Sequence, residues 1–155
     1  MMERTPSTPY SRAGGLAALG GSMLVAGSMF LPWADAGGGT VNFWGLSGLV
    51  DGDGDTRTYG LSVALIPLLV LWCALFFAWR THETRMAWAF GGFTGAMVLY
   101  GGDLRISEDL AASAHGAGEV VAAVGLLLLA SGCVLALAAN IPEPVQSRTD
   151  WKGSL

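Results

Sequence analysis

Apolar residues gather into four blocks, at residues 13–31, 60–79, 86–102 and 117–139, separated by polar, Gly-rich or Pro-rich stretches. A helix of about 20 mainly apolar residues matches a hydrocarbon core of about 30 Å, and each block approaches or meets that length. The pattern predicts an all-α membrane protein built as a four-transmembrane-helix bundle. The third block is the shortest and most Gly-rich, and Pro67 within the second predicts a kink or a carbonyl that neighbours must satisfy.

The connecting segments divide unevenly. Residues 32–59 form the longer outer loop and 103–116 the shorter one, with the transmembrane domain occupying 13–139. In the longer loop Trp33-Ala34-Asp35-Ala36 and Thr40-Val41-Asn42-Phe43-Trp44 flank Gly37-Gly38-Gly39, which predicts a short β-hairpin. Trp33, Phe43, Trp44 and Tyr59 would then pack as an aromatic cap at the membrane surface, as interface anchors or as a recognition surface. Both tails, 1–12 and 140–155, are rich in Pro, Ser and Thr without a hydrophobic period, and are expected to be disordered.

Composition agrees with the pattern. The chain of 155 residues is 52% hydrophobic and 13% charged, and its mean hydropathy of +0.51 lies outside the range of ordinary soluble domains. Crossing the bilayer uses nearly all of the length and leaves little for a soluble catalytic domain. The formal charge of −4 and the single lysine, Lys152, exclude a phosphate-binding face and so a nucleic-acid partner. Cys73 and Cys133 lie inside apolar blocks, where they read as small core residues rather than as a disulfide or zinc framework.

Arginine placement predicts orientation, because Lys and Arg near the spans stay on the cytoplasmic side. Arg4, Arg12, Arg80, Arg85, Arg148 and Lys152 then lie inside, and Arg57 and Arg105 outside among many acids, which puts both termini in the cytoplasm of a cell-membrane protein. The basic start and Ala34-Asp35-Ala36 resemble a cleavable secretory signal. The first apolar block is long for a signal, however, and Pro32-Trp33 reads as an interface anchor, so an uncleaved first helix is expected.

Helices in lipid associate through close backbone packing at small residues. Ala13, Ala17 and Gly21 make such a row in the first helix, Gly91 and Gly95 in the third, and Gly132 and Ala136 in the fourth. These faces serve a bundle packed on itself or, alternatively, a homo-oligomer or a larger membrane complex. The second helix is ringed by bulky side chains and is expected to face lipid or a partner.

Candidate chemistry is sparse. None of the four blocks contains an ionisable side chain between its ends, which argues against a proton relay, a charged-substrate carrier or an intramembrane protease. No catalytic residue and no cofactor site are expected. Asp51-Gly52-Asp53-Gly54-Asp55 resembles the start of a calcium loop, but the sixth and twelfth positions are Thr56 and Ser62 rather than Gly and a bidentate acid. A solvated acidic turn is the simpler meaning, with weak calcium binding through Asp51, Asp53 and Asp55 as the alternative. His115 and Glu119, four residues apart near Asp103, Glu108 and Asp109, would suit a divalent metal, whereas a carboxylate in the first helical turn is also what the helix dipole favours.

Phe30-Leu31-Pro32-Trp33, the Gly-rich polar loop with Trp44-Gly45-Leu46-Ser47-Gly48, and the Leu-rich helix after it carry a resemblance. The first half of the chain resembles small four-helix membrane proteins of high-GC bacteria in which Leu-Pro-Trp closes the first helix. The layout of a large first outer loop holding a Trp and then Trp-Gly-Leu is also similar to that of claudin-like proteins, without their pair of loop cysteines. The resemblance implies a four-helix fold and no particular activity. The expected function is that of a structural or accessory membrane protein acting through helix or outer-loop contacts. A small transport or channel component and an outer-surface calcium sensor stand as alternatives.

Overall fold

The computed structural model describes residues 9–36, 38–48, 53–78, 81–109 and 116–141. These contain four helices, α1 (Pro9–Ser28), α2 (Asp53–Leu75), α3 (His82–Asp109) and α4 (Ala117–Ala138). A two-stranded antiparallel hairpin, β1 (Pro32–Ala36) and β2 (Gly39–Asn42), follows α1 and leads into a 3-10 segment, Phe43–Gly48. Each helix packs on its neighbour in the chain and α4 returns to α1, so the contacts close a ring, with the α1–α4 pair the most extensive.

Glycine makes the α1–α4 contact possible. A Cβ at Gly14 would stand 2.7 Å from both the Gly132 carbonyl oxygen and the Ala136 nitrogen, and one at Gly125 would stand 2.9 Å from the Gly21 carbonyl oxygen. The two backbones therefore approach without intervening side chains, the geometry that small residues at helical spacing permit. The α1 contact row is Ser11, Gly14, Ala18, Gly21 and Val25, all buried, while Ala13 is exposed and Ala17 half-buried. The row predicted from Ala13 and Ala17 is thus one residue out of phase, a rotation of about 100° on the helix. Opposite it, Gly118, Ala122, Gly125, Leu129, Gly132 and Ala136 form one buried stripe of α4. Asn140 fastens the end of this pair by donating from Nδ2 to the Ala136 carbonyl at 2.6 Å and to Ser11 Oγ at 3.3 Å.

The α2–α3 pair uses large side chains instead. Trp72 Nε1 donates to the Trp88 carbonyl and Trp88 Nε1 to the Trp72 carbonyl, each at 2.9 Å, so the two indoles bridge the helices reciprocally. The Trp88 ring also lies 4.5 Å from Phe76, over which Arg85 sits at 5.9 Å. The Gly91 and Gly95 edge of α3 receives Trp72 and Leu69 of α2, while Gly92 abuts Cys133 of α4. Thr81 opens α3 as its cap, its Oγ1 accepting from the Thr84 N–H at 3.3 Å.

The helices overrun the apolar blocks. α1 begins at Pro9, inside the expected tail; α2 begins at Asp53, inside the expected loop; and α3 continues to Asp109. Bilayer thickness limits an apolar block, whereas a helix continues until Gly, Pro or a cap stops it, and no Gly or Pro follows Gly102 before residue 109. Among the described helices, α4 is the one long and apolar enough by itself to cross a membrane, and residues Leu61–Leu75 of α2 form a shorter apolar stretch. The Gly, Ser and Ala that line the inner faces of α1 and α3 lower their average without making their outer faces polar.

The hairpin matches its prediction closely. Gly38, with φ of 149°, turns the chain between the strands, in a region that side chains with a Cβ rarely adopt. The register shifts between Pro32 and Ala34, so Trp33 has no partner on β2 and both Trp33 and Ala34 turn into the protein. Two consecutive inward side chains break the usual alternation, which is the effect of a bulge.

Candidate functional site

The hairpin closes one end of the bundle through Trp33. Its side chain is 4% exposed, its Nε1 donates to the Ser28 carbonyl at 2.7 Å, and its ring meets Phe43 edge-on with centroids 4.8 Å apart. The Gly116 N–H donates to the Trp33 carbonyl at 2.8 Å. The helix start packs so tightly here that a Cβ on Gly118 would meet the indole 2.5 Å from its nitrogen. Ser28 Oγ turns back to the Val25 carbonyl at 2.7 Å, as buried helix hydroxyls usually do.

Beneath this lid lies a small cavity of about 20 Å³, room for about one water. Val25 and Ser28 of α1, Ser62 and Ile66 of α2, Leu99 and Asp103 of α3, and Ala122 and Leu126 of α4 line it, with Trp33 and Phe43 above. Asp103 brings the one titratable side chain into that lining, and its Oδ1 is buried without a hydrogen-bond partner among the described residues. Burial pushes its carboxyl up from 3.8 to about 6, and the Glu119 charge on α4 adds to the rise. A carboxyl held there is neutral over more of the pH range than a surface aspartate, and in that form it can donate a hydrogen bond into the cavity. Farther along the bundle the interior is apolar, built from Leu69, Cys73, Ala96 and Leu129.

Sequence reading placed Asp103 in a loop just past the third apolar block and missed that it turns inward. A signal was present: Trp88, Gly92, Ala96, Leu99 and Asp103 recur at spacings of four, four, three and four, and the first four form one buried stripe. Extending that stripe through one more turn predicts an inward Asp103.

Of the residues expected at interfaces, Gly21, Gly132 and Ala136 meet across α1 and α4, while Gly91 and Gly95 receive α2 side chains. Trp33 and Phe43 point inward. Trp44 is 46% exposed and lies 6.1 Å from the ring of Phe30, itself 71% exposed, so these two make an aromatic corner on the surface. The expected aromatic cap is therefore split between a buried pair and an exposed pair, and the Tyr59 side chain lies outside the described residues. α2 has both characters, with Ile66, Leu69, Cys73 and Phe76 buried and Leu61, Leu68 and Leu71 exposed.

The calcium candidate Asp51 lies outside the described residues, as do the side chains of Asp53 and Asp55, whose backbone opens α2. His115 is outside them as well. Among the described residues no group of three or more His, Cys, Asp or Glu is placed to share a metal ion. Comparison with known proteins found no matching family model, no matching curated protein and no matching solved structure.

Proposed function

We propose that this chain is an integral protein of the cell membrane whose four helices all cross the bilayer with both termini cytoplasmic, and that it serves as a structural or accessory component rather than an enzyme. The observation that carries the reading is the apolar exterior of every helix. Leu16 and Met23 on α1, Leu68 and Leu71 on α2, Phe90 and Met97 on α3, and Val124 and Leu127 on α4 are all exposed. A water-soluble bundle hides one apolar stripe of each helix and presents polar residues elsewhere. This one presents apolar residues on the outside of every helix and packs α1 on α4 through glycine, serine and alanine, as helices packed in lipid do. No Asp, Glu, Lys or Arg interrupts the chain between Arg12 and Asp35, Arg57 and Arg80, Arg85 and Asp103, or Glu119 and Glu143. The arginine bias supports the orientation.

The accessory reading rests on what the small-residue faces do. They are occupied within the bundle, so a partner or a second copy would meet the exposed apolar ridges or the Phe30–Trp44 corner. The apolar interior beneath Asp103 supports this reading over that of a transporter, which needs a polar path through the protein. Purification from its membrane in mild detergent, followed by mass determination, tests the proposal. A stoichiometric complex heavier than the 16.1 kDa chain is expected, and a strictly monomeric species with no companion would remove the accessory role.

A further inference from the structure

We propose that the groove between α2 and α3 at the hairpin end binds one phospholipid, its acyl chain between the helices and its phosphate on Arg105; the inference rests on the membrane reading above. The groove has a volume of about 200 Å³, with Leu61 and Leu65 on one wall, Val98 and Leu99 on the other, and Arg105 at its end. Drug-sized ligand pockets run to about 300–1,000 Å³ and enclose their ligand. A smaller, open, apolar trough suits a stretch of one hydrocarbon chain. Gly101 borders the groove, and a Cβ built there meets nothing within 4 Å, so the position is open to added volume.

Charge selects the occupant. The apolar ridges elsewhere on the bundle accept any lipid tail, but this groove ends at an exposed guanidinium, whose fork of donors fits a phosphate. Arg105 lies three residues past the charge-free block 86–102, the depth at which phospholipid head groups sit. Glu108, also exposed, stands about one helical turn farther on, on the same side of α3, whereas Asp103 turns into the interior cavity. A head group carrying an ammonium as well as a phosphate satisfies both Arg105 and Glu108, whereas a net-anionic head meets repulsion from Glu108. The ligand is therefore a zwitterionic aminophospholipid.

Native mass spectrometry of the full chain, exchanged from detergent into mixed micelles containing equal phosphatidylethanolamine and phosphatidylglycerol, tests the site. Wild type is expected to retain one phosphatidylethanolamine. Arg105→Gln is expected to retain at least tenfold less, and so is Gly101→Leu, which fills the groove at a position with open space around it. Gly27→Leu, likewise open to its surroundings but on α1, is expected to retain the lipid as wild type does. No retained lipid, retention unchanged by both groove variants, or preference for phosphatidylglycerol would overturn the inference. Recovery of the chain from the membrane fraction is scored separately, so loss of the lipid site and loss of the membrane reading are distinct results.

Discussion

Three residues repay attention individually. Trp72 and Trp88 exchange indole hydrogen bonds with each other's backbone carbonyls in the half of the bundle away from the hairpin. Replacing either by Phe keeps most of the ring volume and removes one bond, so each change should cost about 1 kcal/mol. Thermal unfolding in detergent of Trp72→Phe and Trp88→Phe checks this, and an unchanged midpoint in both would show that the bridge contributes nothing. Asp103 makes a prediction of opposite character. Its carboxyl rises from 3.8 to about 6 on folding, so the folded protein binds more protons than the unfolded chain between those values. The associated stability is complete below pH 3.8, declines as pH rises to about 6, and is level above. With its partial exposure to solvent taken into account, the decline should be about 1–2 kcal/mol. Asp103→Asn, which carries no titrating group, should flatten the slope and unfold later than wild type at pH 7.5. An identical pH profile in the variant would show that the carboxyl titrates like a surface group.

At the scale of elements, the α1–α4 pair is the tightest and the least tolerant of added volume. A Cβ at Gly132 would come within 2.6 Å of the Gly14 carbonyl oxygen, backbone that cannot yield without separating the helices. Gly132→Val should therefore destabilise by about 1–3 kcal/mol or more, while Gly27→Val, with nothing within 4 Å of the added carbon, should change stability by less than about 0.5 kcal/mol beyond its gain in helix propensity. Equal losses at the two positions would contradict the close-approach geometry. Helix number, the hairpin and most small-residue faces were legible in the sequence because each has a short-range signature: apolar blocks, a glycine turn, small residues at four-residue spacing. Phase was less legible. Ala13 and Ala17 satisfy the spacing rule as well as Gly14 and Ala18 do, and only the partner helix decides between the two rows. Helix ends were legible only where a stop signal stands, as at Gly116 before α4, and not at Pro9, Asp53 or Asp109. The inward Asp103 was hidden for the same reason, since its place depends on α3 continuing past the apolar block.

At the scale of the whole molecule the bundle is apolar on the outside as well as in its core, with small residues concentrated in the α1–α4 seam and the hairpin closing one end. That apolar exterior is the ground for the proposal that all four helices lie in a membrane; among the described residues α4 alone satisfies the criterion of length and apolarity. On that proposal lipid covers the outer ridges, while close packing of glycine faces, two indole bridges and the Trp33 lid hold the helices together. The most direct test is cysteine labelling of the full chain in intact cells with a membrane-impermeant maleimide. Thr40→Cys places the thiol on the exposed hairpin and Thr81→Cys places it at the turn between α2 and α3, while the native Cys73 and Cys133 are buried and should stay unlabelled. The four-span account predicts labelling at position 40 in intact cells and at position 81 only after permeabilisation. Labelling of both positions in intact cells, or recovery of the protein in the soluble fraction, would contradict it.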